Sequence, residues 1–244
     1  MKKLIWINLV FLTLMACNET TTETTTTDEP TAEDAMAAVE LEDKVDYSED
    51  SLYRMEYQID KNSQKKHGVY KEFDVTTGKL VAERTFKMDQ IHGTEKFYFS
   101  GSGALDGEFM YKNGLHHGPF VYYYEDGQVK QKGEYQEGKV AGMLVKYYPS
   151  GQMEEEVMHV DGMTQGAFKE YNENGTLKAE GEYTSKSDRE NLEQGLLKLY
   201  DENGELEKKM VCQEGQCCTI WTVEDGDVKP SSKLCEAIVN SLNQ

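Results

Sequence analysis

A glycine recurs along this chain at hairpin spacing, and no other feature constrains its fold as much. Gly68, Gly93, Gly118, Gly142, Gly166 and Gly195 head six segments, the first five of them 24 or 25 residues apart. Five residues after each start stands an aromatic: Phe73, Tyr98, Tyr123, Tyr147, Tyr171 and Tyr200. A second glycine follows at Gly78, Gly103, Gly127, Gly151, Gly175 and Gly204, and two residues on comes Leu80, Leu105, Val129, Met153, Leu177 or Leu206. A further ring stands at Phe86, Tyr111, Tyr135, His159 and Tyr183, with Cys212 in that place in the sixth segment. Self-similarity at this period marks a repeat architecture, in which each unit buries its apolar side only against its neighbours.

Each unit reads as one β-hairpin. Asn113-Gly114, Asp126-Gly127, Asp161-Gly162, Asn174-Gly175 and Asn203-Gly204 are turn dipeptides, because Gly and Asn or Asp accept the positive φ of tight hairpins. The runs between them are rich in Tyr, Phe and Val, which suit strands. The predicted fold is all-β: an antiparallel array of hairpins paired edge to edge. If the ring five residues after the start points inward, the apolar residues three before it (Tyr70, Phe120, Leu144, Phe168, Leu197) face the other way. Both faces are then partly covered, or a bulge intervenes.

The order glycine, aromatic, Asn/Asp-Gly, aliphatic, aromatic resembles the MORN-variant repeat. It is closest in Gly-Pro-Phe-Val-Tyr-Tyr-Tyr-Glu-Asp-Gly-Gln-Val from Gly118 and Gly-Ala-Phe-Lys-Glu-Tyr-Asn-Glu-Asn-Gly-Thr-Leu from Gly166. The resemblance spans about Gly68 to Met210. It implies an elongated β-array used for binding or scaffolding, without catalytic residues of its own. Bacterial proteins of this type are often labelled YwqK-like antitoxins.

The N-terminus assigns an address. Met1-Lys2-Lys3, an apolar run from Leu4 to Met15 and Ala16 form a secretory signal. The run is too short to span a bilayer, which takes about 20 apolar residues. Leu14-Met15-Ala16-Cys17 resembles the lipobox of bacterial lipoproteins, and the resemblance implies a lipid on Cys17 and a membrane anchor there. Asn18 is not the aspartate of an inner-membrane retention signal, so the expected address is the cell envelope at the outer membrane. A lipobox is also a departure from a cytoplasmic antitoxin.

Residues 18–50 read as a disordered acidic, Thr-rich tether, with a short helix over Ala32 to Leu41 capped by Thr31. Residues 51–211 are the hairpin array, opened by a strand from Leu52 to Gln58. Residues 212–244 are a Cys-rich cap ending in a helix with Leu234, Ile238 and Leu242 on one stripe. Export permits disulfides among Cys212, Cys217, Cys218 and Cys235. A bond between Cys217 and Cys218 is strained, so each is expected to reach Cys212 or Cys235. The net charge of -19, much of it between Asn18 and Leu52, weighs against nucleic acid, whose phosphates require Lys and Arg.

Aromatics flank the inner ring in the middle repeats: Phe97 and Tyr122 before it, and Phe99, Tyr124 and Tyr148 after it. Because strand neighbours face opposite ways, these five are expected to face outward and bind a partner, protein or glycan. His67, His92 and His117 each precede a repeat glycine. Equivalent residues lie two strands apart, roughly 10 Å, which is too far for one metal ion, and no metal or cofactor is expected. Cys217-Cys218 lacks the Cys-x-x-Cys spacing of a redox pair. Thr184 to Gln194 lengthens the fifth repeat as a surface insertion. No catalytic constellation is legible, and the expected function is a non-enzymatic binding or scaffold lipoprotein. The alternative is an antitoxin or immunity factor acting at the envelope.

Overall fold

The structure is a computed structural model that describes residues 39–187 and 190–241. Cys17, its signal segment and most of the expected tether lie outside the described residues.

Among the described residues sixteen strands follow one another: β1 Leu41–Tyr47, β2 Tyr53–Asp60, β3 Lys66–Asp74, β4 Leu80–Lys87, β5 Gln90–Tyr98, β6 Leu105–Lys112, β7 Leu115–Tyr123 and β8 Val129–Gln136. The series continues with β9 Lys139–Tyr147, β10 Met153–Val160, β11 Met163–Tyr171, β12 Leu177–Thr184, β13 Leu192–Tyr200, β14 Leu206–Gln213, β15 Gln216–Thr222 and β16 Gly226–Asp227. A helix, α1, closes the described chain at Lys233–Ser241. The order of strands across the single sheet is their order in the chain, and neighbours are antiparallel. The predicted hairpin array is thus the observed fold. One odd strand and the next even strand make a repeat, from β3–β4 to β13–β14.

The turns are of two kinds, where the sequence suggested one. Strands β4, β6, β8, β10 and β14 lead into the next odd strand through two-residue turns with both φ positive, as at Asn113 (52°) and Gly114 (81°) or Asp161 (52°) and Gly162 (84°), whereas β2 and β12 are followed by longer loops. This is the turn whose twist matches that of the flanking strands. Met88-Asp89, Glu137-Gly138 and Glu214-Gly215 adopt it without an Asn-Gly or Asp-Gly signal. Odd strands lead into even ones through longer turns. At Tyr124–Gln128 only Gly127 has positive φ, and Asp126 Oδ1 accepts from the Gln128 amide at 2.9 Å. There the Asp or Asn serves as a side-chain acceptor rather than as a left-handed residue.

The repeat glycine sits at a bulge. Between the pairs Phe109↔Phe120 and Tyr111↔His116, β7 carries two more residues than β6, and Gly118 absorbs the kink at φ 97°. Only glycine adopts that conformation freely.

The sheet begins earlier than the sequence suggested. β1 pairs with β2 from Leu41↔Asp60 to Tyr47↔Arg54, so residues 41–50 are not tether. Of the helix expected over 32–41, Leu41 already opens β1. Charge hid this strand. Glu42 pairs with Lys44 at 2.8 Å, Glu40 with Lys61 at 2.6 Å, and Asp46 accepts from the Tyr57 hydroxyl. An edge strand tolerates such residues, and they discourage pairing with another chain. Part of the acidity assigned to a linker therefore belongs to the folded body.

The C-terminal residues form the expected disulfide-stapled cap with its terminal helix, and β15 and β16 carry the sheet on into it. Cys212–Cys217 joins directly opposite residues of β14 and β15, and Cys218–Cys235 ties β15 to α1. Since Cys217 and Cys218 are strand neighbours, their bonds lie on opposite faces. Ser232 Oγ accepts from the Cys235 amide at 3.2 Å and starts the helix. Ile238 and Cys235 pack on Val211, Cys218 and Ile220. Leu234, expected on the same stripe, is 52% exposed: the disulfide directs Cys235 and Ile238 at the sheet, and Leu234 falls off that side. Leu242 lies outside the described residues. No helix among the described residues is long and apolar enough to cross a membrane.

Candidate binding surface

The two faces of the sheet divide the repeat's apolar residues. On one, the core face, the residue two after each repeat glycine stands opposite a residue of the next strand: Phe120↔Gly133, Leu144↔Val157, Phe168↔Gly181 and Leu197↔Met210. Phe120 is 1% exposed and Val157 2%. Volumes are matched across the pairs. A Cβ at Gly133 would lie 2.9 Å from two carbons of the Phe120 ring, and one at Gly181 would lie 3.0 Å from the Phe168 ring. Glycine is present there because a phenylalanine lies across it.

On the opposite face, the ring five after each glycine stands beside the aliphatic two after the second glycine. The pairs are Phe73↔Leu80, Tyr98↔Leu105, Tyr123↔Val129, Tyr147↔Met153, Tyr171↔Leu177 and Tyr200↔Leu206. The two most regular positions of the repeat are thus cross-strand partners, and together they form a stripe, half-buried throughout, from β3 to β14. Both faces are covered, which resolves the alternation noted in the sequence.

This arrangement corrects the expectation for the five flanking aromatics, which do not share one outward face. Phe97 and Tyr122 pack against the core cluster, with the Tyr122 ring 5.0 Å from that of Phe109. The ring taken as inward lies on the face opposite the most buried residues, so its strand neighbours point into the core. Phe99, Tyr124 and Tyr148 lie in the turns next to the stripe. There Tyr124 donates its hydroxyl to the Tyr147 carbonyl (2.7 Å) and Tyr148 to the Tyr171 carbonyl (2.8 Å), tying each hairpin to the next.

Two residues inward from the stripe, on the same face, the outer repeats carry directly opposed charges, while Val121 and Val145 take that place in the middle ones. Lys71–Glu83 (3.5 Å), Lys96–Glu108 (3.6 Å), Lys169–Glu156 (3.5 Å) and Lys198–Glu180 (2.7 Å) are cross-strand ion pairs. Exposed pairs of this kind contribute little stability but make a polar border. Tyr171 and Tyr200 donate to Glu156 and Glu180 (3.1 and 2.8 Å), while Lys132 Nζ lies 5.3 Å from the Tyr147 ring. Burial raises the pKa of Tyr98, and burial with these carboxylate bonds raises those of Tyr171 and Tyr200, so the hydroxyls remain protonated donors.

Sequence reasoning missed a polar chain in the core face of the first repeats. Glu95 occupies the place of Phe120 and is 3% exposed. Arg84 Nε donates to Glu95, and Arg84 Nη1 donates to Glu72 at 3.0 Å. The Arg84 guanidinium carbon also lies 5.5 Å from the Tyr70 ring and 5.4 Å from the Phe97 ring. The Tyr111 hydroxyl lies 2.9 Å from His116 Nε2, and the Glu95 carboxylate acts on the same hydroxyl. His116 Nδ1 is buried and without a hydrogen-bond partner. Burial lowers the His116 pKa, partly offset by Glu95, and raises that of Tyr111, with Glu95 adding to the rise. The signal was Glu95 and Arg84 standing where other repeats carry apolar residues or glycine. The repeat histidines do not converge: among the described residues no group of His, Cys, Asp and Glu is arranged to hold a metal.

A family profile for the MORN repeat variant matches residues 117–137, 164–184 and 193–211. These segments coincide with the hairpins β7–β8, β11–β12 and β13–β14. The chain therefore carries MORN-variant repeats. No curated protein matches it.

Proposed function

We propose that this protein is a non-enzymatic binding module, held at the cell envelope by a lipid on Cys17 and engaging a protein or glycan partner through the ring–aliphatic stripe. The observation that carries this reading is the stripe itself: six half-buried rings, one per hairpin, on the face away from the main core. The matched repeats are compatible with such a role. Phe99, Tyr124 and Tyr148 border the stripe at its turn end and belong to the same surface, whereas Phe97 and Tyr122 support it from the core side. A net charge of -19 disfavours phosphate-rich partners.

The test is crosslinking and recovery of the full-length lipidated protein from its own envelope. The expected result is a partner that is lost when Tyr98, Tyr123 and Tyr147 are replaced by Ser. Recovery of the same partner by that variant would reject the stripe. The anchor has its own check: Cys17→Ser should move the protein from the membrane to the soluble fraction, and an unchanged distribution would remove Cys17 from the reading.

A further inference from the structure

We infer that the stripe is a docking track for a linear β-linked glycan, with one disaccharide to each hairpin. This deepens the proposed binding role and rests on it.

Three observations favour this occupant. The first is period. Rings recur every second strand, about 9.5 Å apart, close to the length of a disaccharide in an extended β-linked polysaccharide. Successive sugars in such a chain are flipped, so the same face returns every second sugar. The stripe has the same alternation, a ring such as Tyr98 or Tyr123 on each odd strand and an aliphatic such as Leu105 or Val129 on each even one.

The second observation is chemistry. A pyranose offers a face of C–H groups and a rim of hydroxyls. Amphipathic aromatic rings give large, rigid contact area for the first. On one side of the stripe the Lys–Glu pairs offer donors and acceptors for the second, and on the other lie turn residues such as Asn172 and Asp201. The third is electrostatics. Lys71, Lys96, Lys169 and Lys198 of the border are each paired with a Glu, and the chain is acidic overall, which suits a neutral polymer and opposes an anionic bilayer surface.

The experiment is titration of the full-length protein with β-1,4-linked N-acetylglucosamine oligomers of two, four, six and eight sugars. α-1,4-linked glucose oligomers of the same lengths are the control. Binding through repeated sites gains affinity with each unit engaged, so the eight-sugar oligomer should bind at least about tenfold tighter than the two-sugar one, with the α-linked series weaker at every length. This measurement needs no variant. Absent binding, binding independent of length, or equal binding of the α-linked series overturns the glycan assignment. The Tyr98→Ser, Tyr123→Ser, Tyr147→Ser variant should lose the length dependence while keeping its β-sheet circular dichroism. If glycan binding is absent but a crosslinked protein depends on the same tyrosines, the binding-module reading stands and the glycan falls; if neither is found, both fall.

Discussion

At the scale of single residues, the repeat is governed by what lies across the strand. Gly133 has ordinary backbone angles, yet it cannot take a Cβ without moving the Phe120 ring. Gly133→Ala should therefore destabilise by about 1–3 kcal/mol, the usual cost of overpacking. Adding Phe120→Leu should recover part of that loss, since Leu144↔Val157 shows a smaller pair in the same place. Urea unfolding of the single and double variants checks this, and additive losses would contradict the pairing. His116 supplies the pH dependence. Its folded pKa lies below the ordinary value because its ring is buried, and His159 behaves likewise. Above about pH 6.5 neither the folded nor the unfolded state takes the proton. Below it the unfolded chain binds a proton that the folded state resists, so stability falls with pH. The loss in urea midpoint between pH 7.5 and 5.5 should shrink in His116→Gln; an unchanged loss would place the titration elsewhere.

At the scale of elements, the two disulfides differ in what they hold. Cys212–Cys217 closes a separation of 5 residues within a hairpin already ordered by its strands, whereas Cys218–Cys235 closes 17 and fastens the only helix among the described residues. Loop entropy predicts that Cys218→Ala with Cys235→Ala loosens α1 by about 3 kcal/mol. The paired change Cys212→Ala with Cys217→Ala should cost less. Hydrogen exchange should then rise in α1 and around Val211 and Ile220, which the helix covers. Unchanged protection in α1 would show that Ile238 packing alone holds it.

At the scale of the whole molecule, strand order equals chain order, so each hairpin is stabilised mainly by the two beside it. Such arrays behave as sums of local and nearest-neighbour terms. Gly133→Ala should lower exchange protection in β7 to β10 and leave β13 to β15 near their original values. A uniform fall would mean that the sheet unfolds as one unit. The same linear order lines up one ring per hairpin, so the array can address a partner longer than any single repeat.

The hairpin, its period and the strand order follow from local chemistry that can be read along the chain. These depend on glycines with positive φ, on turn residues and on strand-forming side chains, all of which act within one repeat or between adjacent ones. The sequence also narrowed the cysteine pairing, because neighbouring cysteines cannot easily bond to each other. Which face is the core emerged from packing across the strands. Alternation shows that Tyr122 and Tyr123 point opposite ways, but burial depends on what the neighbouring strands place opposite each, Gly107 beside Tyr122 or Val129 beside Tyr123. The tertiary structure likewise decided that β1 belongs to the sheet, because Asp43 and Asp46 find their hydrogen-bond partners, Gln58 and Tyr57, across the strand gap. And it brought Glu72, Arg84, Glu95, Tyr111 and His116 into one chain across five strands, since hydrogen-bond geometry between side chains distant in sequence exists only once the register is set.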